Sequence, residues 1–239
     1  MFYTDIHCHM LSRADDGARS AEMMFEMLDM AYNDGTRALC VTPHCQPSLF
    51  GDNEAVIRES YDALSAYAAG KYPDLMLSLG SELGYFSDWR EVLRTERCRL
   101  LGGRYLMMDF PPDISLFEMR YAIDDVLSGG IPLILAHIER YQCLLGEYDV
   151  IRDWTRRGVA LQMNATAFSV KHSARQTRHI KKIIAKCPLA IIASDGHNVT
   201  TRPPVLSTAY EVVADRYGAD MARMWFFNAP MHVLQGGKL

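Results

Sequence analysis

Eight residues spread along the chain have the side chains that proteins use to bind metal ions. They are His7, His9, Asp16, His44, Glu82, His137, Asp195 and His197. Each lies at or just beyond the carboxyl end of a short strand-like run, as His44 does after residues 38–43. The parallel strands of an α/β barrel bring their carboxyl ends to one face, so this placement predicts a single polynuclear metal site.

The spacing of these residues within each motif supports convergence on one site. His7 and His9 are two residues apart, as are Asp195 and His197, and side chains in extended chain repeat with period two. Each pair therefore points its two side chains to the same side. Imidazole and carboxylate ligands suit zinc, manganese or iron, and the lack of thiol ligands argues against a structural zinc finger.

The elements that position these residues alternate between strand and helix patterns. Strands are predicted at seven apolar runs: 3–6, 38–42, 75–79, 105–110, 131–136, 159–163 and 190–194. Helices are predicted between Ser20 and Gly35 and in the segments 56–67, 117–127, 150–156, 180–185 and 205–234. This alternation, without a linker or internal repeat, predicts one α/β domain over residues 1–239, built as an incomplete parallel barrel.

Composition excludes several other classes of protein. The chain has 239 residues, 49% of them hydrophobic, and a formal charge of -4, so it lacks the basic field that nucleic-acid binding usually requires. No apolar run reaches the roughly 18 to 20 residues of a membrane span, and residues 1–5 do not resemble a signal peptide. Six cysteines without regular spacing are expected to be free thiols. These features predict a soluble, cytoplasmic protein that binds no nucleic acid.

An ordered set of short motifs resembles the PHP (polymerase and histidinol phosphatase) superfamily. The set consists of Asp5-Ile6-His7-Cys8-His9, Asp15-Asp16-Gly17, Thr42-Pro43-His44, Gly80-Ser81-Glu82-Leu83, Ala136-His137-Ile138-Glu139-Arg140-Tyr141, Ser194-Asp195-Gly196-His197-Asn198 and Arg202-Pro203-Pro204. Within the superfamily, His-Ile-Glu-Arg-Tyr with Arg-Pro-Pro is similar to the bacterial manganese-dependent protein-tyrosine phosphatases of capsule and exopolysaccharide loci. The resemblance covers essentially the whole chain, from His7 to about Asn228.

The resemblance implies a distorted (β/α)7 barrel of PHP type with three divalent metal ions, manganese first and iron or zinc as alternatives, at its C-terminal face. It assigns His7, His9, Glu82 and Asp195 to the first ion, Glu82, Asp109 and His137 to the second, and Asp16, His44 and His197 to the third. Relatives usually have Glu where this chain has Asp109. The shorter side chain implies that the second ion is displaced slightly or that water completes its coordination.

Two arginines complete the expected site. A planar guanidinium binds phosphate oxygens in a fork, and the resemblance gives Arg140 and Arg202 this role. The alternative for Arg140 is a simple ion pair with Glu139 on a loop. Hydrolysis of a phosphate monoester by water needs an activated nucleophile and charge neutralisation on the phosphoryl oxygens, which clustered divalent metals and arginines provide. A phenolate leaves readily, so a strong general acid is not required.

A second phosphatase pattern is present at Cys98 and Arg104. Their C-x5-R spacing matches the cysteine-dependent tyrosine phosphatases, whose thiolate attacks phosphorus. In those enzymes the loop opens a helix, whereas here a strand is predicted at 105–110. The spacing is therefore interpreted as coincidental.

Three functions from different classes remain. The leading one is a metal-dependent protein-tyrosine phosphatase acting on the C-terminal tail of a bacterial tyrosine kinase that regulates capsule or exopolysaccharide synthesis. The second is a PHP-type phosphatase for a small phosphate ester such as histidinol phosphate, or for a nucleic-acid end. The third is a non-catalytic metal-bound regulator. The sequence leaves open the metal's identity, the physiological phosphoprotein and whether the chain forms a homo-oligomer.

Overall fold

The strands of the protein are short, and most end close to a predicted metal ligand. The computed structural model describes residues 2–187 and 190–239. The strands within these residues are β1 (Tyr3–Asp5), β2 (Thr36–Val41), β3 (His44–Cys45), β4 (Met76–Leu79), β5 (Glu82–Gly84), β6 (Leu106–Asp109), β7 (Leu133–Leu135), β8 (Ala160–Asn164) and β9 (Ala190–Ala193).

All paired strands are parallel and fall into two sheets. One sheet has the order β1-β2-β4 and the other the order β3-β5-β6-β7-β8-β9. The predicted strand at 38–42 is followed, after Pro43, by β3, and the predicted strand at 75–79 is followed by β5. β3 and β5 were not predicted, because two and three residues are too few to show a hydrophobic period. They pair in the register His44 with Glu82, so both residues lie within strands rather than beyond them.

The two ends of the chain meet between β1 and β9. Beyond β1, the carbonyl of His7 accepts a hydrogen bond from Asp195 N at 2.9 Å, and His9 N donates to the carbonyl of Gly196 at 2.8 Å. Cys8 and Gly196 form an isolated parallel bridge. These contacts bring the two dipeptide motifs together despite their separation in the sequence. The mixed α/β architecture with parallel strands is as predicted.

Helices connect the strands and cover their outer faces. They are α1 (Ala21–Asp34), α2 (Pro47–Phe50), α3 (Glu54–Lys71), α4 (Trp89–Leu93), α5 (Leu116–Ser128), α6 (Tyr148–Arg156), α7 (Thr166–Ser169), α8 (Ala174–Lys186), α9 (Ser207–Tyr217), α10 (Ala219–Arg223) and α11 (Ala229–Leu234). The predicted limits of α1 are confirmed, because Ser20 accepts a hydrogen bond from Met23 N and Gly35 adopts a left-handed conformation with φ 114°. A π-helical turn at Met224–Asn228 joins the last two helices.

One apolar core contains side chains from strands of both sheets. It contains Ile6 beside β1, Met107 of β6, Ile134 of β7 and Ile191 of β9, each completely buried. These side chains form a rigid floor that fixes the strand ends relative to one another, which a multi-residue metal site requires.

The described residues contain no helix that is both long enough and apolar enough to cross a membrane.

Candidate metal centre

The buried carboxylate of Glu82 lies at the centre of the predicted ligands. Its Oε2 atom is 3.3 Å from His7 Nε2, 3.1 Å from His9 Nε2 and 3.2 Å from His44 Nδ1. Its Oε1 atom is 3.1 Å from His137 Nε2. One carboxylate therefore faces four imidazoles, with its two oxygens directed to different neighbours, as a bridging group would be.

The predicted ligands converge into three sets of atoms, each compact enough to hold an ion. Within each set, the ligand atoms lie within 4.8 Å of one another. The sets are His7, His9 and Asp195; Glu82, Asp109 and His137; and His9, Asp16, His44 and His197. All nine residues named from the sequence are brought together, and His9 joins the third set as well as the first.

Hydrogen bonds on the far side of two imidazoles fix which nitrogen faces the centre. His7 Nδ1 is 3.1 Å from Gln162 Oε1, and His9 Nδ1 is 2.8 Å from Asp15 Oδ2. Both acceptors require a proton on Nδ1, so each ring in its neutral, metal-binding form presents a lone pair at Nε2. These Nε2 atoms are only 3.0 Å apart. Two facing lone pairs repel unless a proton or a cation lies between them, and the donor set therefore fits a bound metal ion.

The electrostatics of the cluster also fit a cation. His44 Nδ1 is buried and has no hydrogen-bond partner among the described residues. Burial lowers the pKa of His44 and favours the neutral, metal-binding form. Burial alone would raise the pKa of Glu82, but the imidazoles, first those of His7 and His44, outweigh it and hold the pKa well below its usual range. The carboxylate is therefore ionised.

A chain of buried amides links the two ends of the site. Gln162 Oε1 also accepts a hydrogen bond from His137 N, and its Nε2 donates to Asn164 Oδ1 at 2.8 Å. Asn164 Nδ2 in turn donates to Asp195 Oδ2 at 2.6 Å. Gln162 and Asn164 were not predicted from the sequence. Two polar residues at spacing two inside the buried run Ala160–Asn164 were the available signal, because buried amides need partners.

Two residues of the cluster have backbone conformations that are rare for residues other than glycine. His137 has φ 31° and Asp195 has φ 52°. A left-handed backbone conformation costs about 1 kcal/mol or more at a residue other than glycine. It therefore persists only where contacts with the surrounding structure hold the residue in place. Both strained residues immediately follow the strand region and turn their side chains into the cluster, which links the strain to the site.

The two predicted arginines share one carboxylate oxygen. Arg140 Nη2 is 2.8 Å and Arg202 Nη2 is 2.6 Å from Asp195 Oδ2. Arg140 is 43% exposed, whereas the carboxylate is buried. Arg140 does not form the alternative ion pair with Glu139. The Glu139 side chain is buried and accepts a hydrogen bond from Asn164 N. Both guanidinium groups therefore border the metal cluster with donors still exposed.

A cavity of about 150 Å³ opens above the cluster and is lined by residues of all three sets. Arg140 and Arg202 form part of its wall. Phe110, Pro112 and Tyr141 add an apolar side, and the rings of Phe110 and Tyr141 meet edge to face at 6.0 Å. Cationic and apolar walls over a metal-binding floor suit a phosphate ester of an aromatic alcohol.

Asp109 lies in the same set of potential ligand atoms as Glu82 and His137. Its Oδ1 is 3.5 Å from His137 Nε2 and accepts a hydrogen bond from the Tyr141 hydroxyl at 3.2 Å. Burial and the nearby charge of Glu82 raise its pKa from the ordinary 3.8 to about 6. A carboxyl group held in this way is unfavourable when ionised unless a cation is close to it.

Asp109→Asn is expected to stabilise the metal-free protein at alkaline pH. Because the pKa of Asp109 is higher in the folded than in the unfolded protein, this residue contributes its full stability below the unfolded pKa. The contribution is lost as the pH rises through the folded pKa of about 6. In excess chelator, the substitution should therefore raise the free energy of unfolding by about 3 kcal/mol near pH 8 and leave it nearly unchanged near pH 4. Urea unfolding at both pH values tests this, and an equal effect at both would contradict it.

Asp15 orients His9 but was not named as a functional residue from the sequence. Its buried carboxylate accepts hydrogen bonds from His9 Nδ1, His44 N and Gly17 N. Although burial alone would raise the pKa of Asp15, His9 outweighs it and keeps the carboxyl well below its usual range. The signal was present in the Asp15-Asp16-Gly17 motif, where only Asp16 received a role.

Asp15→Asn is expected to weaken manganese binding by about 10- to 100-fold, the usual effect of losing a group that orients a ligand. The amide nitrogen would donate to His9 Nδ1 and so move the ring proton to Nε2, which faces the cluster. Calorimetric titration of the chelator-stripped protein with Mn²⁺ measures the change. Asp52→Asn, at an exposed carboxylate paired with Arg97, is the matched control; equal affinities in the two variants would exclude this role for Asp15.

The C-x5-R segment does not form a cysteine-phosphatase loop. Cys98 is buried, and a hydrogen bond with Cys45, together with burial, raises the pKa of its thiol far above the ordinary value. Gly102 and Gly103 turn the chain, and β6 follows instead of a helix. The thiol is therefore protonated and inaccessible, as the sequence context predicted. The six cysteines are free, also as predicted.

Comparison with known proteins identifies a family over nearly the whole chain. The family model for capsular polysaccharide synthesis, CpsB/CapC, matches residues 3–235. Among curated proteins, the tyrosine-protein phosphatase CpsB of Streptococcus pneumoniae is 29% identical over 96% of this chain and 97% of its own length. The tyrosine-protein phosphatase YwqE of Bacillus subtilis is 26% identical over 95% of this chain and 90% of its own length.

Solved structures show the same fold. A crystal structure from work on YwqE of Bacillus subtilis and CpsB of Streptococcus pneumoniae, described as unique metal-dependent tyrosine phosphatases, superposes with a TM-score of 0.86 at 23% identity. It covers 99% of this chain and 96% of its own. Amidohydrolase 2 from Bifidobacterium longum subsp. infantis matches with a TM-score of 0.60 at 11% identity and full coverage of both chains, which places these folds among amidohydrolase-like architectures.

Proposed function

Because the chain belongs to the CpsB/CapC family of capsular polysaccharide synthesis proteins, we propose that it is a metal-dependent protein-tyrosine phosphatase. It is a phosphoric monoester hydrolase that adds water across the bond between phosphorus and the tyrosine oxygen and releases tyrosine and inorganic phosphate. The observation that carries this function is the pair of guanidinium groups on Asp195 Oδ2, directly beside a buried cluster of imidazoles and carboxylates.

We assign nine ligands to three divalent ions, with manganese first and iron or zinc as alternatives. The first ion takes His7, His9, Glu82 and Asp195, the second Glu82, Asp109 and His137, and the third Asp16, His44 and His197. The two oxygens of Glu82 face different imidazoles, so this carboxylate would help to hold both the first and the second ion. His9 lies close enough to the third set to be shared with it. Imidazole and carboxylate donors accept all three metals.

When bound, the ions would lower the pKa of a shared water towards about 7 and would neutralise charge on the phosphoryl oxygens. The protein's own side chains orient the substrate. Arg140 and Arg202 bind the phosphoryl oxygens as planar forks, in exchange for part of their contact with Asp195. The tyrosine ring lies against the apolar wall of Phe110 and Pro112. A phenolate needs little protonation to leave, so no further side chain is required as a general acid.

We further propose the distorted (β/α)7 barrel of PHP type as the single domain of residues 1–239. Counting β2 with β3 and β4 with β5 as two interrupted strands gives seven strand positions, all parallel. The hydrogen bonds between the segments that follow β1 and β9 support closure of the ring. In this barrel, the carboxyl ends of the strands surround the metal cluster.

The physiological substrate proposed here is a phosphotyrosine protein, the C-terminal tail of a bacterial tyrosine kinase that regulates capsule or exopolysaccharide synthesis. The capsular family description supports this context. We place the enzyme in the cytoplasm, where kinases use ATP. Its six free cysteines suit that reducing compartment.

Substrate preference tests the proposal. The manganese-loaded enzyme is expected to hydrolyse a phosphotyrosyl peptide with a kcat/KM at least about 100-fold above that for histidinol phosphate, because the apolar wall and arginines match an aryl phosphate. Cys98→Ser should keep the wild-type rate, since this thiol lies outside the cavity. Equal rates on the two substrates would contradict the tyrosine assignment, and loss of activity in Cys98→Ser would contradict the metal mechanism.

A further inference from the structure

Positive charge is concentrated in one part of this chain. Residues 154–194 contain eight lysines and arginines and no aspartate or glutamate. The whole chain has a formal charge of -4, so the remainder carries -12. A segregation of this size produces a local positive potential that the overall charge conceals. Most of these cations belong to α8 and the segment that precedes it.

Part of this segment lines a recess together with Arg216 of α9. We call this recess the basic cleft and define it by Lys171, His172, Lys181 and Arg216. It has a volume of about 200 Å³ and lies between α7, α8 and the end of α9. None of its lining residues is acidic. Within 2–187 and 190–239, no carboxylate oxygen lies within 4.0 Å of the side-chain nitrogens of Lys171, Lys181 or Arg216. Three cations thus surround a concave surface without a counter-charge.

The basic cleft lies on the same end of the strands as the metal centre. α7 begins two residues after Asn164, whose side chain donates to Asp195. Gln176, in the first turn of α8, donates to the carbonyl of Glu139 at 2.6 Å, next to Arg140. The elements that form the cleft are therefore tied directly to the wall of the active-site cavity.

We propose that the basic cleft binds anionic side chains of the phosphoprotein substrate that flank the reacting phosphotyrosine. The inference rests on the proposed function and adds the substrate class, a phosphotyrosine segment rich in carboxylates or further phosphates. Unpaired cations in a recess complement such groups, whereas the acidic remainder of the surface repels them. A membrane is a poorer occupant, because a bilayer covering this end of the strands would also cover the active-site cavity.

Three phosphotyrosyl peptides of equal length test the proposal, with neutral flanks, aspartate and glutamate flanks, or a second phosphotyrosine. Each is assayed with wild type and with Lys171→Ala/Lys181→Ala/Arg216→Ala. Loss of three exposed ion pairs is expected to raise KM for at least one anionic peptide roughly 10-fold with kcat unchanged. KM for the neutral peptide and the rate on p-nitrophenyl phosphate should stay constant, and the anionic peptide affected identifies the ligand group.

A triple variant with the same loss of charge is the control. Arg58→Ala/Arg94→Ala/Arg223→Ala removes three exposed cations from other elements and should leave all three peptides unaffected. The wild-type preference for anionic peptides should also decline with added salt, while the neutral peptide changes little. The proposal that the cleft is a specificity site would be overturned by either of two results. One is an equal rise in KM for the anionic peptides in both triple variants, and the other is an equal KM of the wild-type enzyme for all three peptides.

Two further outcomes separate the competing explanations. If wild type sediments with vesicles of phosphatidylcholine and phosphatidylserine, and the cleft variant loses this binding without any change in peptide KM, the surface binds membranes and the proposal is wrong. If wild type hydrolyses no phosphotyrosyl peptide but does hydrolyse histidinol phosphate, the proposed function fails. Hydrolysis of all three peptides with equal KM leaves the function intact and rejects only the cleft.

Discussion

Glu82→Gln is expected to lower kcat for a phosphotyrosyl peptide by at least about 10³-fold, which corresponds to about 4 kcal/mol of transition-state stabilisation. The carboxylate faces four imidazoles and lies at the junction of the ligand sets. Glutamine keeps the shape of the glutamate side chain but removes its negative charge. The hydrogens of its amide group would also point towards the imidazole nitrogens that should bind a cation. Manganese content after gel filtration is expected to fall together with kcat.

The matched control is Glu54→Gln, which makes the same substitution at a partly buried carboxylate paired with Arg58 and Arg99. It should retain full activity and metal content. Circular dichroism shows whether Glu82→Gln is folded, so that loss of the centre is not mistaken for loss of the fold. A folded Glu82→Gln variant with wild-type kcat would eliminate Glu82 as a ligand.

Arg140→Ala and Arg202→Ala are each expected to lower kcat/KM about 10- to 100-fold, because a charge-assisted hydrogen bond to phosphate contributes about 1.5–3 kcal/mol. Lysine at either position should restore little of the activity, since an ammonium lacks the planar fork. Steady-state kinetics on a phosphotyrosyl peptide and on p-nitrophenyl phosphate measure both effects, which should be similar because both substrates carry an aryl phosphate.

Arg157→Ala provides the comparison for these variants. Its guanidinium is exposed and pairs with Asp124 and Asp153 away from the cavity. It should behave like wild type on both substrates. Full recovery of Arg140→Lys would indicate that charge alone suffices and would contradict the bidentate contact, while unchanged kinetics in Arg140→Ala would remove this residue from the phosphate site.

The sequence predicted which of the candidate ligands come together, because their order along the chain follows the strand order of the fold. His7, His137 and Asp195 each follow an apolar strand whose period and length were readable. The helix limits at Ser20 and Gly35 were equally readable, because capping residues have specific backbone requirements. Signals of this kind are local, so they can be recognised in the sequence without knowledge of tertiary contacts.

What the sequence did not predict depends on contacts between distant residues. β3 and β5 are defined only by their mutual pairing, and no single segment encodes it. Gln162 holds His7, a role that exists only when the segment after β1 and β8 lie in one site. Asp15 holds His9 from only six residues away, but the loop conformation that allows this contact shows no sequence period. The basic cleft likewise arises from the meeting of α8 with the end of α9, although the acid-free stretch that supplies two of its three cations is visible in the sequence.

The central claim is that the clustered imidazoles and carboxylates bind metal ions without which phosphotyrosine is not hydrolysed. The most direct measurement is phosphate release from a phosphotyrosyl peptide by wild-type enzyme after dialysis against a chelator, and again as Mn²⁺ is returned. The account predicts loss of essentially all activity in the stripped enzyme and its recovery with added Mn²⁺. Undiminished phosphate release from enzyme that elemental analysis shows to be metal-free would contradict it.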